Sequence, residues 1–215
     1  MGEQNELEKR LPSILAIVLK ILQALTVRWT TGEITREEFI ESAALAVATS
    51  RIRGANVGAD VVRRDLEAQL AEPVQIVPPR INSLAEVPRL KKAVGTIVAD
   101  VPADAEDEAF QQILARVDMR LERLARAETT DAAQDGAQQA LADERVQGWV
   151  RDLNGEACEL CVWWWREGRV WPASHVMPRH TGCECWPRPV TVNYTPRVSP
   201  EAQKRSERDR QKENA

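Results

Sequence analysis

The chain has few of the side chains on which most catalytic sites are built. Its 215 residues include two histidines, one tyrosine and two phenylalanines, so acid–base chemistry based on imidazole has little to draw on. No Gly-x-Ser-x-Gly elbow, His-Glu-x2-His helix or Walker-type glycine loop occurs, which removes the usual sequence signs of α/β hydrolases, zincins and P-loop enzymes. A triad through Ser174 and His175 lacks a further partner, because sequence neighbours cannot serve as nucleophile and base by themselves. Charge of one sign is also missing. Lys and Arg number 29 against 33 Asp and Glu, a net charge of −4, so there is no global basic field for tight duplex binding. The one long apolar run, Ile14 to Val27, is interrupted by Lys20 and Gln23, and no small-residue cleavage site follows it. It reads as a buried helix, with neither a leader nor a membrane span expected.

What is present is unevenly placed. All four cysteines lie between Cys158 and Cys185, and six of the seven tryptophans lie between Trp149 and Trp186. Six of the twelve prolines (Pro172, Pro178, Pro187, Pro189, Pro196, Pro200) fall in the same region or just after it. Two physical regimes share the chain, and the fold class that follows is α+β: a mostly helical N-terminal region with long helices, then a small zinc-stapled β-hairpin module and a charged tail. The divisions are 1–100, a helical hairpin region with a proline-rich connector; 101–148, a long helix or helix pair; 149–198, the Cys/His module; and 199–215, the tail.

Ile14, Ile17, Val18, Ile21, Leu22 and Leu25 recur at helical spacing and predict a first helix covered on most sides. Gly32 ends it. Thr35 and Glu38 then form a capping box with Ile34 and Phe39 as its hydrophobic staple. A second helix is expected from about Arg36 towards Leu70, with Phe39, Leu45, Ile52, Val62 and Leu66 on one face and a kink or break at Gly54 and Gly58. Pro73, Pro78, Pro79 and Pro88 mark an extended connection, and helix resumes near Leu90 and stops before Pro102. From Asp104 onwards, Phe110, Ile113, Leu114, Val117, Leu121 and Leu124 form an apolar stripe. If that helix ran on through Ala140 it would span about 55 Å; Thr129, Thr130 and Gly136 could equally divide it. Past Gly148 the pattern turns to β: Val162 to Trp165 as one strand, Glu167-Gly168 as a turn, Arg169-Val170-Trp171 returning, and Val190, Val192 and Tyr194 alternating as a further strand. From Ser199 the tail mixes both charges as a solvated helix or a disordered segment.

The chemistry concentrates in the cysteines. Cys158 and Cys161 form a Cys-x2-Cys knuckle, and His180-Thr-Gly-Cys183-Glu-Cys185 supplies a second cluster. A Cys-x2-Cys turn lets two thiolates sit about 2.3 Å from one tetrahedral zinc, and the second cluster can complete it. Five donors compete for four places: Cys158 and Cys161 first, His180 next, Cys183 and Cys185 competing or sharing, and His175 as an outside candidate. On an extended segment Cys183 and Cys185 point to the same face, so both could reach the metal if His180 were displaced. Two disulfides or four free thiols are the bland alternatives, and disulfides fit poorly with a chain that has no secretory leader. A closed shell of four protein ligands makes the zinc structural rather than catalytic. Trp163, Trp164 and Trp165 most simply pack around this hairpin, with Trp164 facing away from the other two. Arg166, Arg169, Arg179 and Arg188 could turn them into a platform for single-stranded nucleic acid, although Glu159, Glu167 and Glu184 offset much of that charge.

Arg126-Ala-Glu128-Thr129, the alanine-rich stretch to Leu141, Gly148-Trp149, Cys158-Glu-Leu-Cys161, Gly168-Arg169-Val170-Trp171-Pro172 and His180-Thr-Gly-Cys183-Glu-Cys185 together resemble the phage Mu F-like minor head proteins. In that family an Arg-x-Glu-Thr helix leads to a Cys-x2-Cys turn, a short hairpin and a closing His-x2-Cys-x-Cys. The resemblance covers about residues 120 to 188. The run Trp163 to Trp165 stands where the family usually has a mixed, aspartate-rich hairpin. The N-terminal helical region is similar to the variable leaders of minor capsid proteins in actinobacterial tailed phages. The resemblance implies a minor capsid protein assembled in the host cytoplasm into the virion head, in several copies, with the portal protein and major capsid protein as partners and packaged DNA as a possible contact. Related proteins labelled capsid maturation proteases make a protease or zinc hydrolase the alternative, and a zinc-based DNA-contacting module the second alternative.

Overall fold

In a computed structural model of the chain, residues 6–102, 108–154 and 157–194 are described. The tail read from Ser199 lies outside them, as does the start of the apolar stripe at Asp104. Four long helices come first: α1 (Glu6–Thr30), α2 (Arg36–Leu70), α3 (Ser83–Val98) and α4 (Glu108–Ala140). A strand β1 (Gly148–Asp152), a short helix α5 (Glu159–Trp165) and strands β2 (Trp171–Pro172) and β3 (Trp186–Val190) follow. The architecture is α+β, as the uneven composition predicts.

The α1–α2 turn forms as expected. Thr35 Oγ1 accepts from the Glu38 amide at 3.2 Å, the Thr35 amide donates back to Glu38 Oε2 at 2.7 Å, and Gly32 sits at φ 75°. Leu15, Val18, Leu22 and Leu25 bury against Phe39, Ala43, Val47, Leu90, Val94, Val117 and Leu121 to make the first core. Over Lys9–Thr30, α1 is long and apolar enough to cross a membrane by length and composition. It is less covered than its sequence suggests, because Ile17, Ile21 and Val27 are exposed.

Helix α2 runs unbroken through Gly54 and Gly58. These glycines do not break it; they let α4 come close. A Cβ on Gly54 would stand 2.4 Å from the Thr129 carbonyl oxygen, and one on Gly136 would stand 2.0 Å from that of Ala55. Glycine costs about 1 kcal/mol in a helix interior, and here backbone-to-backbone approach is what it permits. The seam moves the buried face of α2 onto Ala43, Ala44, Val47, Ala48, Ala55 and Ala59, so Leu45 and Ile52, expected inside with Phe39, Val62 and Leu66, are exposed. The same contact keeps α4 in one piece past Thr129, Thr130 and Gly136.

The connector after α2 is extended through Pro73, Pro78 and Pro79, but Pro88 lies inside α3. That helix starts at Ser83, earlier than the expected Leu90, because Asn82 caps it by accepting from the Ala85 amide at 3.2 Å. Pro88 is in the second turn, so the one donor it lacks would have met a first-turn carbonyl.

The sheet is antiparallel in the order β2-β1-β3, with Trp149 opposite Trp171 on one side and Pro189 on the other. Pro187 and Pro189 are tolerated because β3 is an edge strand. Two β expectations are corrected. The run Val162 to Trp165 is the end of α5, and Trp171–Pro172 pairs with β1 and not with that run. The alternation of Val190, Val192 and Tyr194 stops at Val190: the Tyr194 amide turns back to the Thr191 carbonyl at 3.1 Å, and Val192 is exposed. Trp149 and Trp186 bury in one core with Leu7, Leu11, Val62, Leu66, Ala133 and Ala137, so the sheet is seated on α1, α2 and α4.

Candidate metal centre

The donors converge because α5 begins directly after Cys158, its N-cap residue. With Cys158 in extended backbone (φ −71°, ψ 166°) and Glu159 in the first turn, Cys161 falls one turn into the helix. The two sulfurs therefore sit on the same side, since residues three apart are helical neighbours. The second cluster arrives on the loop before β3, turned by Gly182 at φ 75°. A hydrogen bond from the Cys183 amide to the His180 carbonyl at 3.1 Å closes that loop.

His180 Nε2 stands 3.2 Å from both the Cys158 and Cys161 sulfurs, and Cys161 Sγ stands 3.4 Å from Cys183 Sγ. Two triads result, Cys158–Cys161–His180 and Cys161–Cys183–Cys185, with the ligand atoms of each within 4.8 Å of one another. Cys161 belongs to both. No disulfide forms among the four cysteines. A cluster of thiols and one imidazole at these separations can hold a metal ion, and sulfur-rich sets favour soft or borderline metals.

The local electrostatics follow from this crowding. Hydrogen bonds from Cys161 and then Cys185, with Arg151 adding its charge, hold the Cys183 thiol far below its ordinary range. Its partner Cys161 is driven up by the same hydrogen bond. Cys158 is lowered, mainly by the backbone amide of Cys161. At His180, burial favours the neutral ring but is outweighed by the Thr181 carbonyl and the sulfurs of Cys183 and Cys158, so its pKa rises.

Five of the sequence candidates, Cys158, Cys161, His180, Cys183 and Cys185, are brought together. His175 is not: its ring lies flat on Trp171, with centroids 4.6 Å apart, and it belongs to neither donor triad. The tryptophan expectation is also corrected. In a helix the three point around the axis and do not alternate. Trp163 is exposed under the Arg166 guanidinium at 4.0 Å, Trp164 stacks on His180 at 6.3 Å, and Trp165 packs against the buried cysteines. Of the four arginines read as a cationic surface, Arg188 is buried and paired with Asp65 at 2.8 Å, and Arg179 is tied to Asp135 at 2.5 Å. Arg166 and Arg169 remain at the surface, the latter 4.4 Å over Trp171.

Sequence reasoning missed the residues that hold the loop. Gln134 of α4 donates from Nε2 to the carbonyls of Cys183 and Cys185, at 2.6 and 2.7 Å. Asn154 Oδ1 accepts from Cys185 Sγ at 3.7 Å, and Arg151 of β1 reaches between the sulfurs. The only hint in the sequence was that Gln134 sits one turn after Thr130 on the alanine-rich, buried side of its helix. The motif residue Glu128 accepts a two-pronged contact from Arg89, at 2.7 and 2.8 Å, and another from Arg51, while Thr129 Oγ1 meets Ser50 Oγ at 2.8 Å. Glu128 thus joins α2, α3 and α4, on the same helix that carries Gln134. No protein-family model matches the chain, and no curated protein or solved structure matches it either.

Proposed function

We propose that the chain is a structural minor head protein of a tailed phage, in which a zinc ion held by four of the donors Cys158, Cys161, His180, Cys183 and Cys185 staples the C-terminal module to the helices. The observation that carries this reading is the donor arrangement. Cys161, Cys183 and Cys185 are buried, and the loop that carries two of them is anchored to α4 through Gln134. Ligands fixed by their protein surroundings suit a closed structural site, and zinc in that role contributes folding energy directly. The residues of the Arg126-Ala-Glu128-Thr129 motif support the same reading, since Glu128 and Thr129 are spent on helix-to-helix ties. The partners in this reading are the portal protein and the major capsid protein, in several copies per virion head.

The first test is metal content per chain by mass spectrometry, with melting before and after chelation. One zinc whose removal unfolds the module is the expected result; metal removed without loss of structure would overturn the staple. The second is co-assembly of the chain with portal and coat proteins, scored by its presence in sedimented heads. Absence from the heads would overturn the assignment to the virion.

A second reading, contact with packaged DNA, is favoured by one observation: Arg166 and Arg169 lie stacked over Trp163 and Trp171 at the module's surface. Binding to single-stranded DNA with a salt slope that flattens in Arg166→Ala with Arg169→Ala would support it. Unchanged binding in that double variant would remove it.

A further inference from the structure

Arg151 is the least expected occupant of the module's interior. It lies in β1, is 2% exposed, and among the described residues no carboxylate forms an ion pair with it. One terminal nitrogen, Nη1, faces the sulfurs of Cys183 at 3.8 Å and Cys161 at 3.9 Å. The other, Nη2, donates to the Pro178 carbonyl, and the guanidinium carbon stands 5.2 Å from the centre of the Trp164 ring. Its Nε has no partner. A guanidinium stays charged in any protein setting, and a buried charge needs an opposite one. A carbonyl and an aromatic face supply only partial charge. The groups left to supply a full negative charge are the sulfurs.

We infer that Arg151 is the built-in counter-cation of the metal centre, a positioning residue that draws Cys161 and Cys183 together and balances the charge of the donors that take the ion. The inference rests on the zinc reading above. A divalent ion with three thiolates and one imidazole carries a single negative charge, which Arg151 cancels. With four thiolates a buried negative charge is left over. His180 with three sulfurs is the set whose charge Arg151 brings to zero. Cys185 is the sulfur left outside, since it is the one with a side-chain acceptor of its own, Asn154 Oδ1.

The test uses the full chain and zinc alone. X-ray absorption at the zinc edge of the unmutated protein should count three sulfurs and one nitrogen; four sulfurs would overturn the charge argument without touching the staple. Competition with a chelator then gives zinc affinity for Arg151→Met, which keeps the stem and drops the charge, and for Arg151→Lys, which restores a charge. The expected result is a dissociation constant at least tenfold weaker in the Met variant, with most of the loss recovered in the Lys variant. Equal affinity in all three chains would overturn the inference while leaving zinc binding in place, whereas an unmutated chain that takes up no zinc would overturn both. If Arg151→Met does not fold, the sulfur count in the unmutated chain still decides.

Discussion

Gly58 on α2 lies against Ala133 on α4 so closely that a Cβ on the glycine would fall 1.8 Å from the alanine's carbonyl oxygen. The obstructing atom is backbone, so no rotamer change can clear it. Gly58→Ala should lower stability by about 1–3 kcal/mol or more, the usual cost of overfilling a packed contact. Gly32→Ala is the comparison: its φ of 75° is strained for alanine, yet nothing lies within 4 Å. Its cost should stay near ~1 kcal/mol. Denaturant melts of the two variants check the difference, and equal losses would mean that the α2–α4 seam yields easily.

Glu128 sets a pH dependence. Burial opposes its charge, but the hydrogen bonds from Arg89 and the charges of Arg51 and Arg89 outweigh that and lower its pKa from the ordinary value of 4.5. A lowered carboxylate contributes stability that is complete above its unfolded pKa and is lost as pH falls through the lower folded value. The chain should therefore lose helical stability in the window below about pH 4.5. Glu128→Gln should flatten that part of the profile and destabilise the protein at neutral pH, by leaving Arg51 and Arg89 without their counter-charge. Melting temperature against pH for both chains is the measurement.

Gln134→Met keeps the length of the side chain and removes its donors. The carbonyls of Cys183 and Cys185 would then lose their α4 partner. We expect a loss of about 1–3 kcal/mol, the cost of buried polar groups left unpaired, together with faster release of added metal to a coloured chelator. A release rate equal to that of the unmutated chain would show that the loop holds its shape without α4.

His175→Ala should leave metal content per chain unchanged, because the imidazole lies on Trp171 and outside both donor triads. Elemental analysis of the purified variant is sufficient. A drop in bound metal would place His175 at the centre after all.

Among the tryptophans, position decides the cost of truncation. Trp149 is fully buried and its Nε1 donates to the His175 carbonyl at 2.8 Å, so Trp149→Ala should cost about 3–5 kcal/mol. Trp163 is 57% exposed, and Trp163→Ala should stay within about 0.5 kcal/mol. Near-UV circular dichroism with denaturant titration separates the two.

The sequence was most legible where one local rule had no rival. The Thr35–Glu38 capping box needs only its own four residues, and it formed as read. The Cys-x2-Cys and His-x2-Cys-x-Cys spacings likewise brought five donors together. It was least legible where tertiary contact reversed a propensity. Val162 to Trp165 is β-branched and aromatic, yet it is helical, because Cys158 and Cys161 must share a side and the helix that achieves this runs on through the tryptophans. Gly54 and Gly58 read as weak points from propensity alone, since the partner residues that need them, Thr129 and Ala133, lie far along the chain on another helix. Arg151 and Gln134 carried no motif at all. Their roles depend on a strand and a helix meeting the cysteine loop in space, which no spacing along the chain encodes.

The α2–α4 seam also works as an index. Its glycines stand four residues apart on α2, with Ser50 one turn before them and Val62 one turn after. Sliding α2 along α4 by one turn, roughly 5.4 Å, would carry a side chain larger than a methyl into a slot where even a methyl collides. Intermediate positions set α2 side chains against the α4 backbone. The pair therefore has a single register. A pull on the cysteine module, which hangs from both helices, reaches the N-terminal bundle as a displacement of the whole rod and not as shear along it.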